Sequence, residues 1–450
     1  MSHRSRISTT ASVMALIVSG ALAPHAQASG FQLREQSASG LGNAFAGASA
    51  GALDLSSMYW NPAVMTQFDG TQAILGGSYI GLTMNLSDAS GTRAPNFQPS
   101  QRTISGPNSM PNAASNPVLP AIYLSYGVTP DLKLGVSVNV PFGLATTYGP
   151  EFVGRYHGLK TDMKIIDVTP SLAYKVSPGV SLGVAAVIRK TDAEISSAAD
   201  FGAIGAARGI PGSVPGGADG LVTMKGNCWT YGFKAGATFQ PTDSFRVGLG
   251  YQGAMTLKVD GNVAYSNVPT LFQSVFFNGG GKADVKLPDT LTIGFVFDVS
   301  KEFSFQGEAA RTGWSRFDEL RLRFASGAPD SVTQEKWNDT WFFSLGGTWK
   351  VNADWTLRAG LAADKSPIDE AYRTPRIPDG DRTWISLGAG YAVSKTTFVD
   401  FGYTRIIAKD SKIALTTGTN PAGDNFFRGN VSGNYKIGAN ILALQVRHIF

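Results

Sequence analysis

From Gly70 onward, apolar and polar positions alternate with a period of two. Leu132, Leu134, Val136, Val138 and Val140 alternate with Lys133, Gly135, Ser137 and Asn139. Phe245, Val247, Leu249 and Tyr251 alternate with Arg246, Gly248, Gly250 and Gln252. Trp355, Leu357, Ala359, Leu361 and Ala363 alternate with Thr356, Arg358, Gly360, Ala362 and Asp364. Successive side chains of a strand point to opposite faces, so one face here is apolar with aromatics near its ends and the other is small, polar or charged. The pattern predicts about fourteen strands, an even number, as bacterial barrels have. They fall near 71–87, 118–128, 131–140, 161–176, 179–195, 227–240, 244–260, 282–299, 302–313, 339–351, 354–364, 383–394, 397–413 and 432–450. Tight turns such as Thr129-Pro130-Asp131, Ser177-Pro178-Gly179 and Asn352-Ala353-Asp354 alternate with long stretches rich in Gly, Pro and Asn, at 88–117, 141–160, 196–226, 261–281, 314–338, 365–382 and 414–431. A soluble sandwich also alternates, but aromatic-ended strands with alternately short and long connections fit a membrane barrel better.

Both ends of the chain agree with that reading. Leu442, Leu444, Val446, His448 and Phe450 alternate down to the last residue. An aromatic-ended terminal strand is the final strand of an outer-membrane barrel and its address for the barrel-assembly machinery. In lipid every backbone N–H and C=O must be paired internally, which leaves helices and closed barrels as the spanning structures. At the other end His3, Arg4 and Arg6 precede an apolar run, Val13 to Ala23, too short to span a bilayer. Ala26-Gln27-Ala28 then fits small-x-small cleavage. A membrane-anchored tail is the alternative, weakened by Pro24. Residues 1–28 are expected to be a signal peptide, 29–69 a plug and 70–450 the barrel.

Composition narrows the class. After the signal no stretch of about 18 apolar residues is available for a transmembrane helix. Yet 43% of residues are hydrophobic and 11% aromatic, and there are 53 glycines, a mix that suits short strands and tight turns. Cys228 is the sole cysteine, so no intramolecular disulfide can form, and a packed small hydrophobe is expected there. The net charge of +5 is spread along the chain rather than clustered, which argues against nucleic acid as a partner. It is compatible with a bland exported protein, or with a lumen that favours an anionic ligand.

Residues 29–69 do not alternate. A short small-residue helix is expected between about Gly40 and Ala52, and Asn61-Pro62 marks a turn. A lumen of fourteen strands is too wide for side chains alone to fill, so this segment is the expected cork. Gly30-Phe31-Gln32-Leu33, Ser39-Gly40-Leu41-Gly42, Ala46-Gly47 and Asn61-Pro62-Ala63 resemble the N-terminal hatch of the FadL-type long-chain fatty acid transporters of bacterial outer membranes. The resemblance continues in Phe142–Thr146, Gly226–Trp229, Thr312–Phe317, Trp355–Gly360 and Ile377-Pro378-Asp379-Gly380-Asp381-Arg382. It implies a fourteen-stranded monomer with a small plug, passive uptake, and a ligand that leaves sideways through a gap in the wall.

The residues themselves supply candidates for these roles. Pro141, followed by Phe142 and Gly143, cannot donate to a ladder and favours a kink, as a lateral opening requires; it can equally end a strand where a loop begins. Leu271, Phe272 and Phe276 form an apolar patch in a predicted outer loop, where it either binds ligand or packs on neighbouring loops. By their match to the family's basic positions, Arg189 and Arg321 are candidates to hold a carboxylate, or else they are solvated strand-end charges. By the same resemblance Phe31 inserts its ring at the pocket, and Asn61, Pro62 and Ala63 belong to the gating hatch. No cofactor or metal is expected, since no ligand spacing for zinc exists. Of four histidines only His157, in an outer loop, is placed for catalysis, and no Ser-His-acid or Cys-His constellation is readable. The expected partners are therefore a hydrophobic small molecule and outer-membrane lipids. An aromatic hydrocarbon is the alternative ligand, and an outer-membrane lipase or a general porin the alternative functions.

Overall fold

The computed structural model describes residues 30–450. The expected signal peptide lies outside the described residues. One antiparallel sheet closes on itself. Its strands are β1 (Gln72–Thr92), β2 (Val118–Gly127), β3 (Leu132–Asn139), β4 (Gly143–Thr147), β5 (Lys160–Ser177), β6 (Val180–Asp200) and β7 (Asp219–Thr242). There follow β8 (Phe245–Gln252), β9 (Met255–Ser266), β10 (Gly279–Leu287), β11 (Thr290–Asp298), β12 (Phe303–Thr312), β13 (Glu319–Phe324) and β14 (Ser331–Gln334). The wall is completed by β15 (Thr340–Lys350), β16 (Trp355–Asp364), β17 (Arg382–Ala392), β18 (Thr397–Ala408), β19 (Ser411–Leu415) and β20 (Asn430–Ile449). Several are collinear pieces of one wall strand, so the twenty segments make fourteen spanning strands. β20 pairs with β1 from Ile449↔Gln72 to Asn430↔Thr92, which closes the barrel between its first and last strands.

The alternation seen in the sequence becomes inside and outside. In β20, Leu442, Leu444 and Val446 are exposed to the surroundings while Ala443 and Gln445 are buried against the lumen contents. Trp229, Tyr231 and Phe233 of β7 likewise stand on the outer wall. The structure corrects two features of the expected strands. The outer halves run further than the alternation suggests: β6 reaches Asp200, β7 already starts at Asp219, and β9 continues to Ser266. Three predicted continuous strands are also broken. Gly253-Ala254 separates β8 from β9, Pro288-Asp289 separates β10 from β11, and Lys409-Asp410 separates β18 from β19.

Residues before β1 fill the lumen. α1 (Ala38–Gly42) is capped by the Ser37 hydroxyl, which accepts from Gly40 N at 3.1 Å. Short 3-10 helices follow at Ala48–Ala50, Leu55–Tyr59 and Pro62–Gln67. This segment and the wall share one buried apolar cluster that includes Phe45, Trp60, Met65, Tyr123, Phe342 and Trp384. Wall glycines permit the close fit. The Cβ of any other residue at Gly183 of β6 would lie within 2.6 Å of the Pro62 carbonyl carbon. Asn61 is fully buried and ties the segment together: its Oδ1 accepts from Ala63 N at 2.9 Å, while its Nδ2 donates to Ser49 O at 2.7 Å and to the wall carbonyl of Ala237 at 2.9 Å.

Candidate ligand cavities, hatch and wall seam

The wall has an unzipped seam beside the hatch. β2 pairs with β3 only from Gly127↔Lys133 to Ile122↔Val138. Beyond that point Val118–Ala121 pair with β1 alone, and β4 pairs with β5 and, by one bridge, with Ala114. Proline stands on both lips, Pro120 on one and Pro141 on the other, and neither has an N–H to donate across. The lumen side of the kink is instead occupied by the front of the hatch. Leu33 N donates to Pro141 O at 2.9 Å and Gly143 N donates to Phe31 O at 3.1 Å, with Gln32 and Phe142 forming a bridge.

Phe31 is buried in an aromatic cage. Its ring centroid lies 4.9 Å from Trp314, 5.7 Å from Phe142, 5.7 Å from Trp337 and 6.2 Å from Phe317. All four partners come from breaks or kinks in wall strands, where side chains are released from strict in-out alternation. The Ile377–Arg382 stretch clamps the residue ahead of Phe31. Asp379 accepts from Gly30 N at 3.0 Å, Arg382 donates to Gly30 O at 3.3 Å, and the two side chains pair at 2.8 Å.

Phe31 also stands between two cavities. The larger, about 380 Å³, extends from the seam residues Val118, Pro120 and Val140 to Phe31 and Leu33 inside. The smaller, about 70 Å³, is lined by Met224, Val259, Phe317 and Leu320, with Thr161, Asp162, Glu335 and Arg376 as its polar groups. Leu144, Met163 and Ile377 border both. A third space of about 30 Å³ adjoins the second through Arg376 and Met224 and is polar, with His157, Ser331, Thr333 and Arg428 on its walls.

Arg376 and Arg428 give this end its charge. Arg376 donates to Lys160 O, Thr161 Oγ1 and Ser196 O at 2.9–3.0 Å. Arg428 donates to Val332 O at 2.7 Å, Ser331 Oγ at 2.8 Å and Thr333 Oγ1 at 3.1 Å. All these acceptors are neutral, and among the described residues neither arginine is in an ion pair. Burial, reinforced by the Arg428 charge, lowers the Arg376 pKa to about 10, and the guanidinium stays charged at neutral pH.

The family described as outer membrane protein transport protein (OMPP1/FadL/TodX) matches residues 19–450. The chain belongs to this family. Outer membrane protein P1 of Haemophilus influenzae is 30% identical over 94% of this chain and 96% of its own length. The long-chain fatty acid transport protein of Salmonella typhi is 28% identical over 92% of this chain and 94% of its own. Among solved structures a Pseudomonas aeruginosa FadL homologue superposes with a TM-score of 0.84 at 25% identity, covering 94% of this chain and all of that one. The Pseudomonas putida toluene transporter TodX shares the fold, with a TM-score of 0.66 at 16% identity over 89% of this chain and 95% of that one. The chain is thus an outer-membrane β-barrel of the OMPP1/FadL/TodX family.

Within this frame the structure distributes the expected site residues unevenly. Phe31, Phe142 and Gly143 meet at the hatch contact, with Pro141 beside them, and Asn61, Pro62 and Ala63 lie deep against the wall. Arg189 lines none of these three cavities. It is fully buried and has a carboxylate of its own, Asp167, whose two oxygens accept from Nε and Nη2 at 2.7 Å each. Its guanidinium lies 5.1 Å from the Phe142 ring, so it props the kink. Arg321 points away from the lumen and pairs with Glu319 and Asp330, while its neighbour Leu320 lines the smaller cavity. The outer apolar patch splits. Phe272 and Phe276 pack on Phe201 at the start of α2 (Phe201–Ala207), at 5.5 and 5.2 Å, whereas Leu271 and Phe277 remain exposed. Arg376 escaped the sequence reading although it immediately precedes the Ile377–Arg382 motif. A basic residue flanked by Pro375 and Pro378 was the available signal.

His157 is buried, and its Nε2 donates to Gly429 O at 2.9 Å. Burial first, then the nearby charge of Arg428, lowers its pKa from 6.5 to about 3. The packed loop therefore excludes a proton that an opened loop accepts at 6.5. The stabilisation is complete above 6.5 and is lost as pH falls towards 3. Amide exchange across residues 152–158, corrected for intrinsic rate, should accelerate on acidification through this window. His157→Gln should flatten the dependence, and an equal slope in both proteins would refute the assignment.

Proposed function

We propose that this barrel takes up long-chain fatty acids, or closely similar anionic amphiphiles, by passive diffusion and releases them sideways into the membrane. One observation carries the reading. Three adjoining cavities lead from two arginines that make no ion pair among the described residues, past Phe31, to an unzipped wall seam with apolar lips. A carboxylate suits Arg376 and Arg428, since hydrogen bonds to a charged partner are the strong ones. The tail lies along Met224, Val259 and Phe317 and displaces Phe31 on its way to the larger cavity. Withdrawal of Phe31–Leu33 frees Pro141 O and Gly143 N and clears the inner face of the seam. Val118 and Ile122 on the β2 lip face hydrocarbon rather than water, where an apolar tail is at home. Relatives that bear the name long-chain fatty acid transport protein support this ligand. The arginine pair favours an acid over an uncharged aromatic hydrocarbon.

Extending the β2–β3 register from Ile122↔Val138 places Pro120 opposite Val140. Cysteines at these two positions, in a Cys228→Ser background, should zip the seam on oxidation. Oleate uptake is expected to fall to the level of cells lacking the protein and to return with reductant. Undiminished uptake through the cross-linked barrel would exclude the sideways route.

A further inference from the structure

We infer that Glu335 is a positioning residue, which couples the filling of the smaller cavity to the hatch through Trp337. The inference rests on the ligand route proposed above and adds the link between ligand and gate.

Glu335 and Trp337 occupy the break between β14 and β15. Glu335 N and Lys336 N both donate to Asp318 O, at 2.8 Å each. Between the two buried side chains Lys336 takes a φ of 43°, a left-handed conformation that is uncommon and strained for a residue with a side chain. The strained corner holds both side chains in use. Glu335 lines the smaller cavity with Arg376, and its Oε2 accepts from Trp337 Nε1 at 2.9 Å. The Trp337 ring lies against Phe31, Trp314 at 4.8 Å and Phe317 at 5.0 Å. It also covers Gly30 so closely that a Cβ there would sit 2.6 Å from its Cζ3. A continuous line of contacts therefore runs from the cavity through Glu335 and Trp337 to Gly30 and Phe31, and on to Pro141 and Gly143.

The line has two states. With the cavity free of anion, Glu335 holds the indole N–H and the ring pins the hatch. Burial raises the Glu335 pKa to about 8, so its carboxyl is mostly protonated at neutral pH and can donate to a ligand carboxylate on Arg376. Glu335 leaves Trp337, the indole N–H loses its acceptor, and the ring is less favourably held over Gly30 and Phe31. The ligand thus biases the hatch through its different interaction with the two states, as any such coupling requires.

Amide exchange at Leu33 and Gly143, whose hydrogen bonds join hatch to wall, reads the coupling directly in the full mature protein in detergent. Without ligand, Glu335→Ala and Trp337→Phe should each raise both rates about threefold to tenfold, the worth of one lost hydrogen bond. Glu335→Gln should keep the wild-type rates, because its amide oxygen still accepts from the indole. Added oleate should speed exchange in the wild type and have no further effect in Glu335→Ala. Rates within about twofold of wild type in both disruptive variants, or a Glu335→Gln as fast as Glu335→Ala, would overturn the inference. A calorimetric titration showing no oleate binding to the wild type would instead sink the proposed ligand, while the ligand-free rates still decide whether Glu335 and Trp337 hold the hatch.

Discussion

Leucine at Gly183 and Gly248 together is expected to turn a corked barrel into a leaking one. Both glycines face the lumen from the wall, on β6 and β8. A Cβ at Gly183 meets the backbone of Pro62 and Ala63, and one at Gly248 meets the Ser49 carbonyl. Backbone atoms cannot swing aside as the tip of a side chain can, so the overlap is relieved only by moving the plug. Overfilling a packed interior costs about 1–3 kcal/mol per site even where some relaxation is possible. The strands themselves lose nothing, because their ladder bonds β6–β7 and β7–β8 run through the backbone. The plug, held by side-chain packing and a few hydrogen bonds such as those of Asn61, is therefore the partner that yields. Planar-bilayer recordings should show large steady conductance steps in the double variant and none in the wild type. A barrel that assembles normally and stays closed would mean that the plug is not what seals the lumen.

Arg376→Met is expected to weaken oleate binding by roughly tenfold to a hundredfold, since a hydrogen bond to a charged group contributes about 1.5–3 kcal/mol. Arg376 also ties the Ile377–Arg382 stretch to Lys160 and Ser196, so some loss of affinity has a structural origin. Oleyl alcohol, with the same tail and no charge, separates the two effects. Its affinity should change no more than about threefold. If acid and alcohol weaken equally, the carboxylate is not held by Arg376. Arg189→Met should act differently again. It leaves Asp167 buried without a partner, so it should damage the barrel itself rather than select against acids.

Arg189 and Arg321 both pair with carboxylates of this chain, and one cause hid this from the sequence. Each lies on a strand, and sequence position fixes neither which way a side chain faces nor what neutralises it. Asp167 reaches Arg189 from the adjacent strand β5, and Asp330 reaches Arg321 from across a loop. The apolar patch at 271–277 was read correctly as apolar, yet Phe272 and Phe276 found Phe201, some seventy residues earlier in the chain, before any ligand could. Pro120 was hidden for the opposite reason. It sits inside a strand whose alternation is regular, and only its absent partner on β3 shows why a proline is tolerated there.

What the amino-acid order determined by itself was the barrel: the strand number, its greasy outer face, its turns, its corked lumen and an interruption at Pro141, either a kink or a strand end. These follow from properties of adjacent residues, period-two alternation and the missing N–H of proline, and need no knowledge of distant neighbours. What only the tertiary structure decided was where the chain comes apart and what waits there. The unpaired lips of β2 and β4, the seating of Phe31–Leu33 on Pro141 and Gly143, and the approach of Arg376 to Arg428 all join segments far apart in sequence. Burial and pairing at such meetings depend on which surfaces the closed barrel brings together, and a local pattern carries no record of that.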